Sequence, residues 1–340
     1  MQPGFFDLDN RHIKLDERDP LIELNKLIDW EGFRPSLEKI REKPRKNKAG
    51  RKPYDAVLLF KILILGHLYN ISDEELEFQV RDRYSFCRFL GLYPEDKVPD
   101  ARTLWLYREQ LSQQGIDKDL FIDFASQLDA HGLKACRGQI IDASFVAAPK
   151  QRNSREENAQ IKRGETPERF NQNPSVKCQK DVDARWARKN DETHFGYKNH
   201  LSVDNKHKLI RAFEVTSASV HDSQVFFELL SDNTSQDVWA DSAYRSEEND
   251  LMLFASGHRN HLHRKGTRKK ALSERQRQAN RKRSKVRVRV EHIFGSMENE
   301  QGGMFIRTIG LARAKTRICL MNLVYNMRRF VTLQRTVMSV

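Results

Sequence analysis

The stretch Arg281-Lys-Arg-Ser-Lys-Val-Arg-Val-Arg-Val-Glu-His-Ile-Phe-Gly-Ser-Met297 places a single carboxylate, Glu291, at the end of a run of positive charge. The 26 residues from Arg264 to Arg289 contain 13 lysines and arginines and one acid. Valine and arginine alternate here as in a strand, but apolar residues also recur at helical spacing. We expect a helix, because the longer window favours it, with Arg287 and Glu291 on one face. A surface ion pair between them is the simplest explanation of Glu291.

The composition limits the class of protein and of partner. A chain of 340 residues is long enough for two domains, and its net charge of +13 indicates a polyanionic partner. The four cysteines include no Cys-x-x-Cys pair, so neither a zinc motif nor a disulfide framework is predicted, which is typical of the cytoplasm. The segment from Ala56 to Tyr69 is apolar but too short to span a membrane. We expect it to be a buried helix and expect no membrane partner.

Residues 1–130 are predicted to form an all-helical DNA-binding domain. One helix is expected from Tyr54 to Asn70, and Ser72 and Asp100 are typical N-caps of two more. Short helices with arginines and aromatic residues are compatible with a helix-turn-helix reader of DNA, although a plain helical bundle fits equally well. The basic linker 43–53 is either a solvated loop or an arm on the DNA backbone.

Residues 131–340 have the pattern of an α/β domain. In chain order we predict a strand at 139–147, an exposed polar insertion at about 149–190, hairpin strands at 193–203 and 208–216, a helix capped by Asp222, a strand at 237–241, a helix at 246–256, a strand at 259–263, the helix of Glu291, and one or two helices within 306–333. This is the ribonuclease-H-like order, which predicts a mixed five-stranded sheet with flanking helices. In that order the first and fourth strands are neighbours, and the last helix crosses them.

Three acids then converge on one patch: Asp142 in the first strand, Asp241 at the end of the fourth, and Glu291 on the helix. An Asp inside a buried strand is costly unless it is paired or bound to a metal. Three neighbouring carboxylates repel one another unless a divalent cation lies among them, and Mg²⁺ prefers such oxygen ligands. Two Mg²⁺ ions can activate an attacking hydroxyl and stabilise the leaving oxygen of a phosphodiester. We therefore predict three catalytic, metal-binding acids that hold Mg²⁺, for which Mn²⁺ can substitute.

Four acid-bearing or neighbouring motifs carry a resemblance to a known family. They are the strand of Asp142, His194-Phe-Gly-Tyr-Lys-Asn-His200, Trp239-Ala-Asp-Ser-Ala-Tyr-Arg245, and Arg287-Val-Arg-Val-Glu-His-Ile-Phe294. Together they resemble the bacterial insertion-sequence transposases of the DDE class, most of all the family named "insertion sequence five". The resemblance extends over nearly the whole chain. It implies a ribonuclease-H-like catalytic domain, Mg²⁺-dependent DNA strand cleavage and transfer, and binding as a homo-oligomer to terminal inverted repeats and target DNA.

Residue by residue, the resemblance assigns the family's three acids to Asp142, Asp241 and Glu291. The signature helix of related transposases reads Tyr, two residues, Arg, three residues, Glu, six residues, Lys. Arg287 fits this pattern, whereas Ser284 and Glu298 replace its Tyr and Lys. The predicted DNA-binding residues are Arg281, Lys282, Arg283, Arg287 and Lys198. For Lys198, a solvated strand edge is an equal alternative.

Two other functions remain compatible with the sequence. A decayed or domesticated copy would bind DNA without catalysis, although the presence of all three acids favours a working enzyme. A metal-dependent nuclease without strand transfer would use the same site. Inverted repeats and a short target duplication in the flanking DNA would distinguish a transposase from both.

Overall fold

The computed structural model describes residues 19–41, 52–93, 95–189, 191–266 and 271–338. The chain divides into two compact units. The first comprises Met1–Gln127 together with Met327–Val340, and the second is Leu128–Asn326. Most of the predicted basic linker 43–53 lies outside the described residues, so the alternatives for it stay open.

The first unit is helical in its described part, as predicted. Its α-helices are α1 (Pro20–Leu27), α2 (Arg34–Glu38), α3 (Ala56–Tyr69), α4 (Asp73–Asp82), α5 (Tyr84–Leu90), α6 (Ala101–Gln114) and α7 (Asp117–Ala130), the last of which crosses into the second unit. The predicted caps are confirmed: the side chain of Ser72 accepts a hydrogen bond from the backbone of Glu75, and that of Asp100 from the backbone of Thr103. Such caps satisfy backbone N–H groups that the first helical turn leaves without partners.

Helix α3 is buried, as its composition predicts. Its residues from Ile62 to His67 are all buried within the first unit. No single helix in the described ranges has both the length and the apolar character needed to cross a membrane. Helices α3 and α4 meet these criteria only as a pair, across a bend of 103°.

The C-terminal helix, α13 (Leu311–Met338), is a single helix whose end from Met327 belongs to the first unit. There Phe330 is fully buried and lies edge-on to Phe124, with 6.3 Å between the ring centroids. The first unit is therefore completed by a segment that is about 200 residues away in the sequence.

Phe330→Ala is expected to destabilise the first unit by about 3–5 kcal/mol, because it removes a large buried ring and leaves a cavity. Urea unfolding followed by circular dichroism measures the change. Thr332→Ala, at an exposed position on the same helix, is the control and is expected to cost less than about 0.5 kcal/mol. Equal stability of the two variants would show that this helix end does not support the first unit.

The second unit contains the mixed sheet that the element order predicts. Its strands are β1 (Gln139–Ala147), β2 (Arg185–Lys189), β3 (Glu192–Asp204), β4 (Ile210–Ser217), β5 (Asp237–Ala240) and β6 (Arg259–Asn260). Strands β1, β3 and β4 pair antiparallel, and β5 and β6 then add in parallel beside β1. This is the ribonuclease-H-like arrangement, and the expected pairing of the first strand with the strand that precedes Asp241 is confirmed.

Among the described residues the sheet has six strands rather than the five expected, and the extra strand comes from the insertion. Helices α8 (Arg155–Lys162), α9 (Glu168–Gln172) and α10 (Pro174–Lys177) precede β2 there. Ile161 and Phe170 are buried, and Asp181 accepts a hydrogen bond from the hydroxyl of Tyr197 at 2.6 Å. Most residues of the insertion are exposed, as predicted, but its helices and its strand were not predicted, because only a few widely spaced contacts anchor this polar segment.

Two further helices of the second unit precede α13. Helix α11 (Glu247–Ala255) follows β5, and the long helix α12 (Glu274–Glu300) packs across β1 and β5. On α12, Val290, Ile293 and Met297 are fully buried. The choice of a helix for this segment is confirmed, and the helix begins early enough to include much of the basic run.

Candidate active site

The sheet register brings Asp142 and Asp241 together. Ile141 of β1 lies beside Ala240, the last residue of the parallel strand β5. An aspartate follows each of these two residues in the chain. Asp142 lies within β1, and Asp241 comes directly after the end of β5, so the two aspartates are neighbours. The Asp241 side chain also accepts a hydrogen bond from the backbone of Ser242 at 2.6 Å. The prediction that these two acids meet therefore follows from strand pairing alone.

A guanidinium group from α12 bridges the two aspartates. Arg287 Nη2 donates to Asp142 Oδ2 at 2.7 Å, and Nη1 lies 3.4 Å from Asp241 Oδ1. The side chains of Arg287 and Asp142 are each 17% exposed, and that of Asp241 is 36% exposed. The arginine thus pairs with the two aspartates and does not form the surface ion pair with Glu291 that its spacing allows. A positive charge already lies between two partly buried carboxylates.

Glu291 follows Arg287 by one turn of α12, and its side chain is exposed. The four-residue spacing places it about 6 Å further along the helix axis. Within the described ranges, one group of three potential metal ligands has its ligand atoms within 4.8 Å of one another, and it consists of Cys136, Asp204 and His207. The structure therefore brings Asp142 and Asp241 together and places Glu291 one helical turn beyond Arg287, the residue that bridges them. The three carboxylates do not form one of the described groups whose ligand atoms all lie within 4.8 Å of one another.

His263 is a neighbour of this site that the sequence did not single out. Its Nδ1 atom lies 3.8 Å from Asp241 Oδ1 and 3.4 Å from Arg287 Nη1. Burial, together with the adjacent guanidinium, lowers the pKa of His263 and favours a neutral ring. The backbone N–H of His263 donates to the carbonyl of Ala240 at 3.1 Å. The sequence could have indicated His263, because it follows β6 and Asp241 follows β5. Residues that follow neighbouring parallel strands lie at the same edge of the sheet.

Lys198 does not fit the prediction that it contacts DNA. Its ammonium group donates to Asp222 Oδ1 and to the carbonyl of Val220, each at 2.7 Å, and its side chain is 12% exposed. Asp222 is not the predicted helix cap, since two short 3₁₀ turns (Asp222–Val225 and Phe227–Leu229) replace the helix and the side chain of His221 caps the first. The cation is therefore neutralised inside the domain.

His200 is a core residue. It is fully buried, its Nε2 atom lies 2.9 Å from the hydroxyl of Thr216, and its Nδ1 atom lies 3.4 Å from the hydroxyl of Tyr244. Burial lowers the pKa of His200 to about 4, so the ring is neutral at physiological pH. Its place in the sheet indicates a structural role.

The cations before Glu291 fall into two groups. Arg281 and Lys282 are exposed on α12. Arg283 points inward instead: its Nη1 atom donates to the carbonyl of Leu262 at 2.9 Å, and burial lowers its pKa. That all three contact DNA phosphates stays a prediction, and the inward contact of Arg283 counts against it for this residue. Residues 267–270 of the basic run lie outside the described part of the chain.

Comparison with known sequences identifies the family. A sequence model described as "Transposase DDE domain" matches residues 136–327. The chain belongs to the transposase DDE domain family. A second model, described as "Transposase domain (DUF772)", matches residues 9–110. The predicted resemblance to insertion-sequence transposases of the DDE class is thereby confirmed, whereas the "insertion sequence five" family stays a prediction. The matched DDE region of this transposase contains Asp142, Asp241 and Glu291.

One solved structure is similar over much of the transposase chain. It is described as "Cryo-EM structure of piggyBac transposase synaptic complex with hairpin DNA". The sequences are 11% identical, the TM-score is 0.48, and the similarity covers 94% of this chain and 76% of that chain.

Proposed function

We propose that this transposase cuts DNA at the terminal inverted repeats of its own insertion sequence and joins the freed ends to target DNA. In this proposal Asp142, Asp241 and Glu291 are the catalytic acids and hold Mg²⁺, for which Mn²⁺ can substitute. The observation that carries the proposal is the pairing of β1 with β5, which sets Asp142 beside Asp241 under the helix that bears Glu291.

The donor set fits a hard divalent cation. Carboxylate oxygens are the ligands that Mg²⁺ prefers, and the bridging position of Arg287 shows that the space between the two aspartates accepts a positive charge. When bound, Mg²⁺ would supply activation of the attacking hydroxyl and stabilisation of the leaving oxygen. Asp142 and Asp241 would hold the cation from the sheet, and Glu291 would complete the set from α12.

The remaining residues of the site would then position the DNA. A guanidinium group released from the aspartates is free to hold a phosphate oxygen, because it presents several N–H donors in a fixed plane. Arg287 would therefore exchange carboxylate partners for a phosphate partner within one turn of Glu291. His263, which is neutral beside Asp241, would accept or donate a hydrogen bond at the same edge.

The first unit is proposed to read the inverted repeat. Helix α6 exposes Arg102 and, three residues on, Trp105, which is 50% exposed, so both lie on one face. By contrast, Arg108 is bound by Asp73 at 2.6 Å and is not free to contact bases. An exposed helix face with arginine and an aromatic ring has the side chains that contact base edges and backbone.

The proposed function is tested with a DNA fragment that carries the element's end, a plasmid target, and Mg²⁺. Cleaved ends joined to the plasmid are the expected products. Cleavage without joining would support a metal-dependent nuclease, and binding without cleavage would support a decayed copy. If the protein bound repeat DNA and random DNA of equal length equally well in a gel-shift assay, the proposal that the first unit recognises the repeat sequence would be contradicted.

The exposed cations of α12 give a separate prediction. Replacing Arg281 and Lys282 together with Ala should weaken binding to repeat and random DNA alike, and should lower the slope of log affinity against log salt by up to about 2, since each neutralised phosphate contributes about 0.9. Salt titration of binding measures the slope. Arg283→Ala is the matched control and should change the slope little, because this side chain is bound to the backbone of Leu262. An unchanged slope in the double variant would show that these cations only face solvent.

A further inference from the structure

Three potential metal ligands meet away from the acidic site. Cys136 precedes β1, Asp204 ends β3, and His207 lies in the β3–β4 turn, with their ligand atoms within 4.8 Å of one another. Asp204 pairs with Gln139, which is three residues before Asp142 on β1. At a rise of about 3.3 Å per residue, the two places are about 10 Å apart along the strand. This cluster is therefore distinct from the proposed Mg²⁺ site.

The Asp204 carboxylate organises the cluster. Its side chain is fully buried, and its Oδ1 and Oδ2 atoms accept hydrogen bonds from the backbone N–H groups of Cys136 and His207, each at 2.6 Å. These bonds bring the thiol and the imidazole to the same carboxylate. A carboxylate has about four lone-pair directions, so further directions remain for a cation. A buried carboxylate is also costly unless positive charge compensates it.

The spacing suits two ligands of one ion. His207 Nδ1 lies 3.0 Å from Asp204 Oδ2. Two ligands on a tetrahedral zinc ion, with bonds of about 2.0–2.1 Å, lie about 3.3 Å apart. A thiolate with an imidazole favours Zn²⁺ over Mg²⁺, because soft sulfur ligands do not suit hard cations.

We propose that Cys136, Asp204 and His207 form a binding site for Zn²⁺ or a similar thiophilic divalent cation. The ion would fasten the β3–β4 turn to the segment that enters β1. Cys136 is 68 residues from Asp204 in the sequence, so the three ligands form no recognisable zinc motif and the cysteine spacing predicts no such site. The hairpin places them together only after β3 has paired with β1.

The proposed ion would also support the helix of the acidic site. Asn205 is the residue after Asp204, and its backbone carbonyl accepts a hydrogen bond from Arg289 Nη1 at 2.8 Å. The side-chain amide of Asn205 donates to the carbonyl of Arg137 at 2.9 Å. Arg289 lies two residues from Arg287 on α12. A turn held by Zn²⁺ would thus hold one side of the helix that carries Glu291.

Metal binding to the full-length protein tests this proposal. The reduced, chelator-treated protein is titrated with Co²⁺ in an excess of Mg²⁺, which occupies oxygen-only sites. We expect a thiolate-to-cobalt charge-transfer band in the near ultraviolet, its displacement by one equivalent of Zn²⁺, and a rise in Tm with Zn²⁺. The band reports sulfur ligation, and the acidic site contains no sulfur.

Variants identify the ligands. Cys136→Ser should abolish the band, and His207→Gln should abolish tight Zn²⁺ binding. The matched controls are Cys178→Ser, at an exposed cysteine, and His258→Gln, and both should retain band and stoichiometry. Either of two results would overturn the proposal: no band in the parent protein, or an unchanged band in Cys136→Ser. In both cases Asp204 and His207 form a structural pair without a metal.

Discussion

Asp142→Asn is expected to reduce cleavage of a DNA fragment carrying the element's end by about 1,000-fold or more, while leaving DNA binding largely intact. The substitution keeps the size of the side chain but removes the charge that would hold the cation. A metal ion supplies several kcal/mol of charge stabilisation to phosphoryl transfer, and each loss of about 1.4 kcal/mol costs a factor of ten in rate. Gel-based cleavage rates in saturating Mg²⁺, beside equilibrium binding in the absence of the metal, measure the two effects separately.

The same result is expected for Asp241→Asn and for Glu291→Gln. Two further variants provide matched controls. Asp232→Asn changes an exposed aspartate, and Glu298→Gln changes an exposed glutamate on the same helix as Glu291; both should cleave at the parent rate. Glu291→Gln is the sharpest of the tests, because Arg287 bridges the two aspartates whereas the exposed carboxylate of Glu291 is assigned from the sequence. Near-normal cleavage by any one of the three site variants would remove that residue from the set of metal ligands.

The sequence was sufficient where local pattern and strand order decide the structure. The alternation around Val288 fits a strand, but the longer apolar period predicts a helix, and the structure agrees: Val290 is fully buried whereas Val288 is 45% exposed. The meeting of Asp142 and Asp241 also follows from element order, because a ribonuclease-H-like order places their strands side by side.

The features that the sequence did not predict depend on contacts between residues that are far apart in the chain. The alternation of β3 predicts which face of the sheet Lys198 lies on, but it does not predict the partner of Lys198. That partner, Asp222, lies 24 residues later, and its position depends on how the intervening chain folds. The helices and the strand of the insertion were missed for a similar reason, since its buried anchors Ile161 and Phe170 are too widely spaced to show a period. A sequence pattern reports repeated local environments, so isolated anchors leave no signal.

The fate of Arg283 could have been predicted. It lies four residues before Arg287, so both side chains occupy the same face of α12, and that face meets the sheet edge. Arg281 and Lys282 lie on other faces and are exposed. The number of cations in the run does not reveal this difference. The position of each cation around the helix does, because it separates side chains that face the sheet from those that face solvent.

Arg287→Ala is expected to destabilise the metal-free protein by about 1–3 kcal/mol, between the values for exposed and for buried ion pairs. Its removal leaves the partly buried carboxylates of Asp142 and Asp241 without the cation that now bridges them. Mg²⁺ should restore the lost stability, because it neutralises the same two charges. In the parent protein the ion must first displace the guanidinium, so Arg287→Ala should bind Mg²⁺ at lower concentration and gain more Tm from it. Thermal unfolding with chelator, and then across a Mg²⁺ titration, measures both effects.

Cleavage should change in the opposite direction to metal affinity. Without Arg287 the scissile phosphate loses a proposed planar, multi-donor partner one turn from Glu291, so cleavage at saturating Mg²⁺ should fall by roughly tenfold or more even though the ion binds more readily. Lys285→Ala, an exposed cation on the same helix, controls for a general loss of positive charge and should alter neither Tm nor the Mg²⁺ response. A Mg²⁺-induced rise in Tm no larger in Arg287→Ala than in the parent would mean that guanidinium and metal do not compete for the aspartates. The bridge would then be a structural ion pair, and Mg²⁺ would have to bind without displacing it.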